Sequence, residues 1–151
     1  MAVNPNGFVQ ANDFGNPRIM TGEAMEIISG GQYVGASGTT GVVTSGLSTY
    51  VNSDVKFYIC DDPENVVGIA TQTVASGAAL GAAVDALILS ACIGSVFAGR
   101  LVKCTDATGV ENLGSTVVPA DAEDASIAGN AAGRAYTAGA SGGFALIHFK
   151  P

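Results

Sequence analysis

The sequence predicts a small all-β protein, a β-barrel or β-sandwich that follows an extended amino-terminal arm. Three observations favour this fold class: 48% of the 151 residues are hydrophobic, the apolar runs are short, and clusters of Gly, Ser, Thr, Asn and Asp separate them. No segment carries a long apolar stripe at the helical period of 3.6 residues. The Ala-rich residues 121–132 are the one candidate for a short helix.

Residues 1–18 are rich in Asn, Pro and Gly, with isolated hydrophobic residues between them. This pattern is not typical of a core strand. We interpret it as an extended arm that binds a neighbouring subunit through Val3, Phe8, Val9 and Phe14. The alternative is a terminus that packs on its own domain or has no fixed structure.

From residue 19 onward, runs of β-branched, aromatic and aliphatic residues predict a series of short strands. Together they are expected to form a single β domain over residues 19–151. The predicted strands cover residues 24–28, 32–34, 41–44, 55–60, 66–70, 86–89, 92–97, 100–104, 115–118, 134–137 and 144–149.

An internal echo divides this domain into two halves. The pattern G-x-A-x-x-x-x-A-S-G runs from Gly68 to Gly77 and recurs 65 residues later, from Gly133 to Gly142. A structural duplication would explain it, with halves at roughly 19–90 and 91–151 that combine into one barrel-like body. Chance similarity in a chain rich in Gly and Ala is the alternative.

The charge pattern favours protein partners. Only 13% of the residues are charged and the net charge is −7, so much of the surface is expected to be buried in an assembly. Six basic residues give no stripe for phosphates, which excludes nucleic acid and disfavours anionic membranes. Residues 78–98 have the length of a membrane span, but Asp85, the glycines at 81 and 94 within it and those at 77 and 99 beside it argue against one. The amino terminus lacks a secretory signal, so we expect synthesis for the cytoplasm or for an assembly made there.

No residue pattern indicates catalysis, a cofactor or a metal. His148 is the only imidazole and follows a strand pattern, which favours a structural role. Cys60, Cys92 and Cys104 lack the spacing of a metal site. We expect buried free thiols, with one disulfide and one thiol as the alternative. The acidic clusters at 61–64 and 121–124 are interpreted as solvated turns.

Residues 132–147 at the carboxyl end resemble the closing motif of small capsid decoration, or cement, proteins of tailed double-stranded DNA viruses. Short segments similar to those of that family also occur upstream, in the same order as in the family, at residues 21–24, 31–34 and 66–70. The resemblance implies a β-barrel or β-sandwich, often a trimer, that binds the outer surface of an expanded capsid at junctions between major capsid subunits. That family has no catalytic residues, so the resemblance implies none in this chain.

We therefore expect a non-enzymatic virion protein that is assembled in the host cytoplasm and stabilises the capsid surface by bridging major capsid protein subunits. Its expected partners are the major capsid protein and copies of itself. The competing interpretation is a self-assembling subunit of a filament, tube or surface array, because the same composition and a donor-like arm would suit it.

Overall fold

The computed structural model describes residues 2–3, 9–10, 17–36, 55–60, 65–106, 108–113 and 131–151. These residues form eleven strands and no helix, which confirms the all-β class. The strands are β1 (Ala2–Val3), β2 (Val9–Gln10), β3 (Arg18–Ala24), β4 (Tyr33–Gly35), β5 (Lys56–Ile59), β6 (Val66–Ala70), β7 (Ala79–Ala91), β8 (Leu101–Asp106), β9 (Gly109–Asn112), β10 (Gly133–Ala135) and β11 (Phe144–Phe149).

Five strands close into a ring that we call barrel 1. β3 pairs in parallel with β5, which is followed around the ring by β4, β6 and the first half of β7. That half of β7 returns to β3 in antiparallel register, so the ring closes. Closure satisfies the backbone groups that would otherwise form exposed sheet edges.

A second ring, barrel 2, repeats the same pairing plan. The second half of β7 pairs with β11, which is followed by β10, β8 and β9, and a parallel bridge from Val110 to Cys92 closes the ring. The registers correspond strand by strand: Val34 lies opposite Ile59 in barrel 1, as Val102 lies opposite Asn112 in barrel 2. The 13-residue strand β7 therefore belongs to both rings. The boundary between the two repeats lies within this strand, because its first half is part of barrel 1 and its second half is part of barrel 2.

Four loops of one form connect the strands, and each contains a glycine at the same place. We number them loop 1 (residues 25–32), loop 2 (71–78), loop 3 (92–100) and loop 4 (136–143). The φ angles of these glycines lie between 79° and 87°, a backbone region that favours glycine. They are Gly31, Gly77, Gly99 and Gly142.

The loops associate in pairs, one pair on each barrel. Ile28 of loop 1 and Val74 of loop 2 exchange two backbone hydrogen bonds, of 3.1 and 2.9 Å. Val96 of loop 3 and Gly139 of loop 4 do the same, at 2.8 and 2.9 Å. A β-carbon at Gly139 would lie 2.5 Å from Sγ of Cys92. The backbone carbonyl oxygen of Phe144 would lie 2.8 Å from the same β-carbon, so this position of loop 4 does not accommodate a side chain such as the valine of loop 2.

The hydrophobic core has two parts. One fills barrel 1, with Phe57 as its largest side chain. The other joins the interior of barrel 2 to the region between the barrels, where the rings of Tyr33 and Phe149 pack with centroids 5.8 Å apart. Equivalent inward positions carry different sizes, since Val110 stands where barrel 1 has Phe57, and Ile147 stands where it has Ala82. The two interiors are therefore filled by different side chains around the same backbone plan.

Most predicted strands are present, but two are wrong. Residues 25–28 and 93–97 lie in loops 1 and 3, and β3 occupies the residues before loop 1 instead. Only part of their apolar character reflects burial: Ile28 and Val96 are fully buried, whereas Ile27, Ile93 and Phe97 are exposed. β9 was not predicted. The predicted strands at 41–44 and 115–118, and the helix candidate except for residues 131–132, lie outside the described residues.

A buried pair of hydroxyl groups lies where the two barrels meet. The oxygens of Tyr33 and Ser90 are 2.6 Å apart. They lie beside a cleft of about 240 Å³ whose lining includes Gly31 and Phe144. Burial raises the pKa of the Tyr33 phenol well above its ordinary value of 10.0, because the phenolate would lose its hydration.

The buried phenol predicts alkaline instability. In the unfolded chain Tyr33 ionises near pH 10, whereas the folded protein keeps it neutral, so its stabilising contribution is complete below that pH and is lost as the pH rises above it. Chemical denaturation at pH 8 to 11 is expected to show a falling free energy of unfolding, and Tyr33→Phe is expected to flatten the fall. An unchanged slope in Tyr33→Phe would contradict this assignment.

Candidate protein-binding surface

The predicted arm residues are placed only in part. Val3 and Val9 lie opposite each other in the antiparallel pair of β1 and β2, and Gln10 pairs with Ile88 of β7. The second strand of the amino-terminal segment thus pairs with the body of its own chain. Phe8 and Phe14 lie outside the described residues.

A different surface emerges from β7 and β11. Side chains alternate between buried and accessible positions along the second half of β7, from Ala86 to Ala91, and along β11. The accessible positions of these two segments are Leu87, Leu89, Ala91, Phe144, Leu146 and His148. Successive side chains of a strand point to opposite faces of the sheet, so these six share one face.

Strand register places these side chains side by side. Phe144 lies opposite Ala91, Leu146 opposite Leu89, and His148 opposite Leu87. Tyr136 at the start of loop 4 adjoins them, because its backbone N–H donates to the carbonyl of Leu146 at 2.7 Å. Directly opposed residues of an antiparallel pair are near neighbours. We call Leu87, Leu89, Tyr136, Phe144 and Leu146 the barrel 2 face.

Two members of the face are unusually accessible for aromatic residues. Phe144 is 63% exposed and Tyr136 is 58% exposed. Loop 3 also exposes Phe97, at 57%, and Ile93, at 40%. Single exposed hydrophobic residues are normal, but neighbouring ones such as those of the barrel 2 face are typical of a surface that binds another protein.

Barrel 1 provides an internal comparison for this face. Its equivalent strand pairs are Glu23 with Ala79, Thr21 with Gly81, and Ile19 with Ala83. The equivalent of Tyr136 is Thr71, whose N–H donates to the carbonyl of Gly81 at 3.0 Å. The same backbone therefore forms with small or polar side chains at most of these positions. The large apolar side chains of barrel 2 are not required by the fold.

Charged groups lie at one end of the barrel 2 face. Nε2 of His148 lies 2.7 Å from Oδ1 of Asp85, and an ionised carboxylate can only accept, so the imidazole donates. This hydrogen bond lowers the pKa of the Asp85 carboxyl; burial opposes the change, and the charges of His148, Lys150 and Arg18 add to it. His148 therefore pairs with a carboxylate on the outer face of the sheet. This hydrogen bond does not involve a serine, threonine or cysteine nucleophile.

Among the described residues, the remaining chemical groups do not assemble into a site. Cys60, Cys92 and Cys104 are buried and form no disulfide, which confirms the expectation of buried thiols. The described residues contain no group of three metal-ligating side chains. The acidic clusters at 61–64 and 121–124 lie outside them. No described segment is a helix with the length and hydropathy that a membrane span requires.

No protein-family model matches the chain, and a search of curated proteins finds no significant match.

Sequence reasoning missed the barrel 2 face, although one signal pointed to it. The 65-residue echo aligns Thr71 with Tyr136 and Ala79 with Phe144. A comparison of the two copies, position by position, would have shown that only the second copy carries aromatic residues there. The strand register was needed to show that these residues share a face with Leu87 and Leu89.

Proposed function

We propose that this protein is a structural virion protein that binds the outer surface of a capsid and stabilises it by bridging major capsid protein subunits. The barrel 2 face is the surface through which it binds. The observation that carries this proposal is the difference between the two barrels: the same backbone displays aromatic and leucine side chains on barrel 2 and, except at Ile19, small or polar ones at the equivalent positions of barrel 1.

The composition of the chain supports a binding role. Tyrosine and other aromatic residues are enriched at the centres of protein interfaces, where they bury a large area for few rotatable bonds. The low share of charged residues agrees with a molecule whose working state is an assembly. Many copies on one particle would turn moderate single contacts into a large gain in particle stability.

The direct test is co-sedimentation with expanded capsids that lack this protein. We expect saturable binding and a higher temperature of capsid disruption, because a ligand that binds only the assembled state stabilises it. A protein that stays in the supernatant at every concentration would refute the proposal. Capsids already saturated with the protein provide the control for non-specific pelleting.

The self-assembling alternative makes the opposite prediction for the purified protein alone. A cement protein is expected to remain a monomer or a discrete small oligomer, such as a trimer, in size-exclusion chromatography with light scattering. Head-to-tail contacts that do not close would instead give filaments or sheets. Negative-stain images of the same fractions would show them.

A further inference from the structure

The basic residues of this acidic protein are unevenly distributed. Lys56 forms an ion pair with Glu23, and Lys103 with Glu111 at 3.2 Å. The other four bases form no ion pair with a described residue. They are Arg18, Arg100, Arg134 and Lys150, and all four are exposed.

These four residues follow one end of the barrel 2 face. Arg134 lies opposite His148 on the neighbouring strand, and His148 in turn lies opposite Leu87 of the face. Nη1 of Arg134 donates to the carbonyl of Gly99 at 2.7 Å, which brings it next to Arg100.

The residues around Asp85, on the far side of His148, are also basic. Arg18 lies opposite Asp85 in the sheet, and the charges of Arg18 and Lys150 both act on that carboxyl. We call Arg18, Arg100, Arg134 and Lys150 the basic rim. Among the described residues, Asp85 is the carboxylate that these contacts place within the basic rim, and it is hydrogen-bonded to His148.

We infer that the barrel 2 face binds a protein surface whose apolar centre is bordered by carboxylates, the rim supplying the cations that pair with them. The inference extends the proposed function by giving the chemistry of the partner. Guanidinium groups form two parallel hydrogen bonds with a carboxylate, and arginine beside exposed aromatic residues is the usual composition of an interface centre.

An acidic protein surface fits this site better than a nucleic acid does. The rim borders side chains that are apolar, and these would stay exposed against a phosphate backbone. The net charge of −7 would also repel an extended polyanion, whereas a local carboxylate is attracted by the nearby cations. Barrel 1 again lacks the feature, since its equivalents of Arg100 and Arg134 are Gln32 and Ile69.

The test compares two double variants with the same net charge. Arg100→Gln/Arg134→Gln removes two rim charges, and Lys56→Gln/Lys103→Gln removes two charges that are ion-paired elsewhere. The first probe is a chromatography resin that carries phenyl and carboxylate groups, and the second is the capsid. We expect the rim variant to elute from the resin at clearly lower salt than the control variant, and to lose about tenfold in capsid affinity at low ionic strength.

The outcomes separate this inference from the proposed function. Equal elution of the two variants, or equal affinity for capsids, would overturn the rim assignment and leave capsid binding in place. Selective loss on the resin with no capsid binding by the wild type would support the rim and refute the proposed function. Retention of duplex DNA by the wild type, lost in the rim variant, would overturn the inference in favour of a phosphate partner.

Discussion

Replacing Tyr136 with Thr and Phe144 with Ala in one double variant is expected to weaken capsid binding by about 100-fold, because truncation of an interface aromatic commonly costs about 2 kcal/mol or more. Each new residue is the one that barrel 1 carries at the equivalent position, Thr71 or Ala79. The barrel backbone is therefore compatible with both. Affinity would be measured by titration of capsids, and stability by urea denaturation.

The matched control is Ile27→Ser. Ile27 is 68% exposed on loop 1, and its equivalent on loop 3 is Ser95, so this change again exchanges one barrel's residue for the other's. It removes an exposed apolar side chain outside the barrel 2 face. We expect unchanged capsid affinity. Equal losses in the control and the double variant would show that general hydrophobicity, and not this face, drives binding.

Gly133→Ala is expected to cost about 3 kcal/mol in the free energy of unfolding, which is at the upper end for overpacking of a well-packed interior. An added β-carbon would lie 2.0 Å from the carbonyl oxygen of His148 and 3.0 Å from the α-carbon of Phe149. Both are backbone atoms of β11, which pairs with β7 on its other side. Neither can move without disturbing the strand that carries Phe144 and Leu146 of the barrel 2 face.

Gly142→Ala separates this close approach from the general effect of removing a glycine. Gly142 has a φ of 80°, and an added β-carbon there would have no atom within 4 Å. The cost should be confined to backbone strain, about 1 kcal/mol. Urea denaturation of both variants would measure the difference. Similar losses at the two positions would contradict the argument from strand packing.

Composition and patterning were enough to predict the all-β class, because short apolar runs between Gly-rich turns leave few alternatives. They were not enough to place the strands around loops 1 and 3. Buried and exposed apolar side chains together give these loops the hydrophobicity of strands. The buried ones, Ile28 and Val96, pair through their backbones with Val74 and Gly139, which are far away in the sequence. Only the closed rings bring them together.

The scarcity of charge predicted a protein-binding surface, and Val3, Phe8, Val9 and Phe14 were selected for it because the first residues did not resemble core strands. Gln10 pairs with Ile88 of the same chain, whereas Phe8 and Phe14 lie outside the described residues, so the assignment of the surface to the arm stays a prediction. The repeat could have indicated Tyr136 and Phe144, but the leucines of the barrel 2 face could not be predicted, since Leu87, Leu89 and Leu146 have the same alternation as any strand with one buried side. Only the comparison with barrel 1 shows that the fold does not require large apolar side chains at most positions of this face.

Hydroxyl-radical footprinting of the free and capsid-bound protein tests the central claim most directly, because it reports the accessibility of individual side chains. We predict that oxidation of Tyr136 and Phe144 falls sharply on binding, while oxidation of Met25 and Ile27 on loop 1 is unchanged. Protection of loop 1 with no protection of Tyr136 and Phe144 would contradict the account and place the partner on barrel 1.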